Sequence, residues 1–165
     1  MPALQDVVRE ATGDTLLTFD SRFSIPDSRL FSWPTRVYWE DTDAGGVVYH
    51  AQYVAFLERA RTEWLRHRGH GQEQLRHDHD LVFAVRAMQL EFLRPARLDD
   101  LLTVTVEIRA CKRASVVFAQ SILRGEEVLL TAVVRVAVLT ASGFRPKAAP
   151  DALYEEFKAL EVPQP

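Results

Sequence analysis

Hydrophobic positions recur along this chain with two different periods, and the switches between them mark its elements. From Thr35 to Glu40, Val37 and Trp39 alternate with Arg36 and Tyr38, which predicts a short strand opened by Pro34. From about Ala51 to Arg68 the period lengthens. Tyr53, Phe56, Leu57, Ala60 and Trp64 share one helical face, and Gln52, Arg59, Thr62, Glu63 and Arg66 take the other. Gly69 and Gly71 end that helix. Alternation then returns over Leu81–Arg94, Leu101–Cys111, Ala114–Leu123 and Val128–Thr140, with turns at Cys111-Lys112-Arg113 and Gly125-Glu126. The last of these is apolar on both faces, the pattern of a strand covered on both sides. Asp151 can cap a short final helix in which Leu153, Phe157 and Leu160 share a face.

One strand, a long helix and four long strands predict an α+β domain, an antiparallel five-stranded sheet packed on one central helix. Such a sheet leaves pairing edges and an open face, so a homo-oligomer is expected. Residues 1–30 carry little pattern beyond Val7, Val8 and Ala11 before Thr12-Gly13. We read them as an N-terminal extension to a domain over residues 31–160.

Composition narrows the function. The 165 residues suit one domain, and 47% apolar with 26% charged residues is an ordinary globular mix. A net charge of −3 without a basic block argues against nucleic acid as a partner. A lone cysteine, Cys111, excludes an internal disulfide and a multi-thiolate metal site. Met1–Asp6 lacks a signal-peptide layout, and no apolar run is long enough for a membrane span, so the expected location is cytoplasmic. The histidines His67, His70, His77 and His79 lie among Asp78 and Asp80. We read that stretch as a solvated helix end and loop, and expect no metal.

No serine elbow, phosphate-binding loop or dinucleotide fingerprint occurs. Cys111 falls in or at the end of a strand, with no helix N-terminus to activate it. The chemistry gathers instead in Glu40-Asp41-Thr42-Asp43-Ala44-Gly45-Gly46-Val47-Val48-Tyr49-His50, between strand and helix. A helix start offers unpaired N–H groups and partial positive charge, which can stabilise an oxyanion. A carboxylate across the gap can attack or activate water. A bland turn, with aspartates that satisfy their own backbone, is the competing reading. Glu58, off the apolar stripe, is an alternative catalytic acid.

The stretch Arg36–Glu63, continued by Phe92-Leu93-Arg94-Pro95-Ala96-Arg97-Leu98-Asp99-Asp100, resembles the Tol–Pal-associated, YbgC-like acyl-CoA thioesterases. These belong to the 4-hydroxybenzoyl-CoA thioesterase class of hot-dog folds. The resemblance covers about residues 30–157. It implies a hot-dog fold, thioester hydrolysis without a separate cofactor, and edge-to-edge dimers, with or without pairing into homotetramers. It implies that Asp43 is the catalytic carboxylate, that a backbone N–H near His50 polarises the thioester carbonyl, and that Asp41 shapes the turn. The His50 side chain is a second participant. Gly45, Gly46, Val48 and Tyr49 would line the substrate. Where the family often carries tyrosine after Tyr38, this chain has Trp39. A thiolate leaves with little protonation, so the reaction needs an oxyanion hole and a carboxylate rather than a strong general acid. Coenzyme A carries phosphates, for which Lys112, Arg113, Ser115, Arg145 and Lys147 are candidates. The expected substrate is a short- to medium-chain or aromatic acyl-CoA. The rivals are a non-catalytic hot-dog scaffold of the cell-envelope system and a hot-dog dehydratase, whose usual His-Phe-Pro style motif is missing here.

Overall fold

The computed structural model describes residues 29–163; the expected extension over 1–30 therefore lies, but for Arg29 and Leu30, outside the described residues. The strands are β1 (Phe31–Arg36), β2 (Leu81–Phe92), β3 (Leu101–Lys112), β4 (Ser115–Arg124) and β5 (Glu127–Thr140). They form one antiparallel sheet in the order β1-β3-β4-β5-β2. The helices are α1 (Gln52–His67), α2 (Gln72–His79) and α3 (Asp151–Ala159).

All five residues of the predicted helical stripe are buried, from Tyr53 to Trp64, and α1 packs against β1 and β3. Leu102, Val104, Val106 and Ile108 face it from β3, each fully buried. Trp64 fills the gap between Phe118 of β4 and Phe157 of α3, at ring distances of 5.3 and 5.0 Å. Irregular register at Val85/Ala87 in β2 and Ile108/Ala110 in β3 bends the strands. The α+β architecture of the sequence reading is what the chain adopts.

Three local expectations need correction. The first strand ends at Arg36 rather than Glu40. Pro34 sits inside it, opposite Thr103, which an edge strand tolerates because one side of its backbone needs no partner. Val37 then bonds the 99–100 backbone, and Trp39–Asp41 winds into a 3₁₀ turn. Next, in the histidine-rich stretch read as a helix end and loop, His67 does end α1, but Gln72–His79 winds into a further helix, α2. Only Leu75 of that helix is buried, so no apolar period announced it. Finally, β5 is covered on one face alone in a single chain: Leu130, Ala132, Val134 and Val136 are buried, whereas Thr131, Val133 and Ala137 are half-buried and Arg135 is exposed.

Candidate active site

The turn that ends β1 is built by Asp41. Its carboxylate is buried and accepts the Tyr38 N–H at 2.8 Å, while its carbonyl accepts the Tyr49 N–H at 2.8 Å. Asp41 is thereby committed to the fold. Asp43, two residues on, is exposed. Its backbone N–H donates to Val47 O at 2.9 Å, and its Oδ1 accepts the Gly45 N–H at 2.7 Å. The second carboxylate oxygen of Asp43 is left for chemistry.

The two glycines serve different needs. A Cβ at Gly45 would stand 2.9 Å from the Asp43 Oδ1, so only glycine leaves that oxygen its place. Gly46 has φ +76°, a conformation that residues with a Cβ rarely adopt.

Past the glycines the chain pairs Thr42 with Val48 in an isolated bridge, and the buried Val48 donates its N–H to Ala96 O at 2.9 Å. Tyr49 and His50 are exposed, their rings 4.5 Å apart. The helix start has no side-chain cap. Among the described residues the backbone N–H groups of His50 and Ala51 have no acceptor. Unpaired donors at a helix N-terminus, beside a fixed carboxylate, are what a carbonyl turning into an oxyanion requires. The His50 imidazole makes a ring contact with Tyr49 but no hydrogen bond among the described residues. Glu58 lies two turns into α1 and accepts the Thr62 hydroxyl at 2.7 Å.

Sequence reasoning took Tyr53 only as a core residue. Its hydroxyl accepts the Ala96 N–H at 2.9 Å. Burial pushes that phenol above its ordinary pKa, and the nearby charges of Asp100 and Asp43 add to the rise, against the bond from Ala96 and the Arg124 charge. A tyrosine instead of phenylalanine on a buried stripe was the available signal.

The coenzyme candidates lie elsewhere. Asp43 sits at the rim where β3 begins, since Val37 bonds Asp100 and Val48 bonds Ala96. Lys112, Arg113 and Ser115 lie where β3 ends and β4 begins, roughly 36 Å along the strand at about 3.3 Å per residue. Arg145 and Lys147 follow the end of β5 and belong to that far rim too; Ala149 bonds Arg113 O there. Arg113 is paired with Asp151 and lies over the Tyr154 ring at 4.4 Å, and Lys147 donates to the carbonyls of His79 and Asp80. Lys112 and Arg145 are exposed. The chain thus gathers Asp43, Gly45, Gly46, Val48, Tyr49 and His50, and does not bring the basic residues to them.

The other reactive candidates fall away. Cys111 is buried, and that burial raises its thiol pKa, the opposite of activation. Among the described residues no group of three His, Cys, Asp or Glu is placed to hold a metal ion, and no helix is long and apolar enough to cross a membrane.

The family model described as "Thioesterase superfamily" matches residues 45–131. The acyl-CoA thioester hydrolase YbgC of Escherichia coli O6:H1 is 49% identical over 133 residues, spanning 80% of this chain and 98% of the relative. The acyl-CoA thioesterase YbgC of Haemophilus influenzae is 43% identical over 79% of this chain and 96% of its own length. Among solved structures, a probable thioesterase from Bartonella henselae superposes with a TM-score of 0.71 at 40% identity, covering 73% of this chain and 99% of that one.

Proposed function

This chain belongs to the YbgC-like acyl-CoA thioester hydrolases of the thioesterase superfamily, and on that premise we propose how it works. It is a thioester hydrolase. Acyl-CoA and water give a carboxylic acid and coenzyme A. The observation that supports the mechanism is the pairing of an exposed, pinned Asp43 carboxylate with the unpaired N–H groups of His50 and Ala51.

The thioester carbonyl oxygen docks on those N–H groups. Charge that develops on it as the carbon becomes tetrahedral is met by donors already in place. Asp43 either takes a proton from the water that attacks the carbonyl carbon, or attacks that carbon itself to give a mixed anhydride that water then hydrolyses; in both routes the carbon–sulfur bond breaks, the thiolate leaves and the Asp43 carboxylate is regenerated. The substrate in this reading carries a short- to medium-chain or aromatic acyl group, and the work takes place in the cytoplasm.

The working form in this reading is a homodimer or homotetramer. Among the described residues β2 is an edge strand, paired with β5 alone, and it carries half-exposed Val85 and Phe92. Two such edges pair antiparallel about a two-fold axis. The Leu81 end of one β2 then lies beside the Phe92 end of the other, so the partner's basic rim comes beside the Asp43 rim. A site assembled in this way would bind the coenzyme phosphates with one subunit and cleave the thioester with the other. The half-covered outer face of β5 leaves a second surface for a tetramer.

A non-catalytic scaffold would have no use for a carboxylate held opposite unpaired donors. Release of free thiol from acyl-CoAs of graded chain length and from an aromatic acyl-CoA tests the reading. Turnover on part of that series is expected; no hydrolysis of any of them by the folded oligomer would overturn it.

A further inference from the structure

The resemblance of this chain to its family runs on through Phe92–Asp100, yet no step of the hydrolysis uses that stretch. The loop is tied down at both ends. At its outer end the Asp100 carboxylate accepts the Arg97 N–H at 2.8 Å and Arg124 Nη1 at 2.7 Å, and Arg124 also pairs with Glu127 at 2.6 Å. The Asp99 and Asp100 backbones exchange hydrogen bonds with Val37.

At its inner end the loop meets the active-site turn through one residue. Ala96 is fully buried and uses both of its backbone groups. Its carbonyl accepts the Val48 N–H at 2.9 Å, and its N–H donates to the Tyr53 hydroxyl oxygen at 2.9 Å. The Tyr53 ring is packed edge-on against Phe56 and Phe92, at 6.2 and 5.7 Å. A phenylalanine would keep those contacts. What the tyrosine adds is an acceptor for Ala96.

We propose that Tyr53 is a positioning residue for thioester hydrolysis, acting through Ala96 on Val48 and so on the N–H groups of His50 and Ala51. The inference rests on the reading of those two N–H groups as donors to the thioester carbonyl. Tyr53 touches no reacting atom. Its oxygen fixes Ala96, Ala96 fixes Val48, and Val48 lies two residues before the first unpaired donor. The helix start has no side-chain cap, so backbone bonds hold it: Val48 to Ala96 on one side and Tyr49 to Asp41 on the other. Oxyanion donors work only within about 2.7–3.1 Å of the developing charge. A misplacement of about 1 Å can cost on the order of 100-fold in rate.

The test is Tyr53→Phe in the full chain, assayed on an acyl-CoA that the parent hydrolyses. The expected result is a fall in kcat of about 10- to 100-fold. KM should stay within about 2-fold, since the lost positioning is felt in the transition state. The pH–rate profile should keep its shape, because the role belongs to the oxygen as acceptor and not to a titrating proton. Asp100→Asn loosens the outer tie without entering the core and should lower kcat in the same direction by a smaller factor; it decides the matter if Tyr53→Phe fails to fold.

A folded Tyr53→Phe with the parent's kcat overturns the inference. So does a loss of thermal stability alone, a change confined to KM, or the loss of one limb of the pH profile, which would make Tyr53 a proton donor. Asp43→Asn run alongside separates the levels: if it is inactive while Tyr53→Phe is not impaired, only the positioning role falls. A parent inactive on every acyl-CoA would overturn the site reading and this inference with it.

Discussion

The two ends of the sheet hold their polar residues in opposite ways. At the Asp43 rim nearly every polar group is fixed by backbone: Asp41 by Tyr38 and Tyr49, Asp43 by Gly45 and Val47, Val48 by Ala96. Among the described residues, what is left free there includes the second carboxylate oxygen of Asp43, the His50 imidazole and the N–H groups of His50 and Ala51. At the far rim the polar groups are long basic side chains. Arg113 and Lys147 are spent on Asp151, Tyr154 and the His79 and Asp80 carbonyls, and Lys112 and Arg145 stand in solvent. A rim that must hold atoms in register through a reaction is wired by short bonds. In the proposed reading the far rim has only to attract phosphates, a task that flexible charges can perform. The length of β3 separates the two rims within one chain, which is why the proposed site is assembled from two copies.

The largest effect belongs to the wired rim. Asp43→Asn should lower kcat/KM by at least about 100-fold, the low end for loss of an acid–base or nucleophilic group, with circular dichroism unchanged. Near-parental turnover would remove Asp43 from the chemistry. His50→Ala should cost clearly less on the same acyl-CoA, because alanine keeps the backbone N–H; an equal loss would shift the role to the imidazole. At the far rim, Lys112→Ala with Arg145→Ala should raise KM for acyl-CoA by about 3- to 10-fold, in line with two exposed charges. KM for acyl-pantetheine, which lacks the nucleotide phosphates, should not follow. A parallel rise for both substrates would mean that these residues support the fold and not the coenzyme.

Smaller effects bear on the frame. Burial works to raise the Asp100 carboxyl, but the Arg97 N–H and the Arg124 guanidinium outweigh it and hold the group below the ordinary carboxylate range. Its pairing therefore stabilises the folded state above the ordinary value, about 3.9, and is lost as the pH falls through the lower folded value. Thermal melts from about pH 5 down to about pH 2.5 should lose less in Asp100→Asn than in the parent. Deleting residues up to Arg29 should leave kcat/KM unchanged, since β1 begins only at Phe31. An insoluble or inactive truncation would show that the segment packs on the domain.

How much was legible in the sequence divides along the same line. Strand alternation and the helical stripe depend on single-residue burial, so Leu102–Ile108 and Tyr53–Trp64 were readable. α2 was not, because only Leu75 of it is buried and its other side chains meet water. The end of β1 was misplaced because Val37 and Trp39 keep the alternating pattern while the backbone leaves the ladder to bond Asp99 and Asp100. The acid–glycine turn stood out by its residue types. The Ala96 link did not, since its bonds are made by backbone and by a tyrosine that counts as core in any pattern. The separation of Asp43 from Lys112 and Arg145 follows from strand length and topology, which a residue-by-residue reading of charges ignores.

Mixed dimers test most directly whether one site is built from two copies. One subunit carries Asp43→Asn with its basic rim intact; the other keeps Asp43 but carries Lys112→Glu and Arg145→Glu. If the rims meet across the subunit boundary, each mixed dimer has one fully intact site. At limiting acyl-CoA a random one-to-one mixture should then recover about a quarter of parental activity, from mixed dimers making up half the population with one good site of two. A mixture that never exceeds the mean of its two impaired parents would contradict the account.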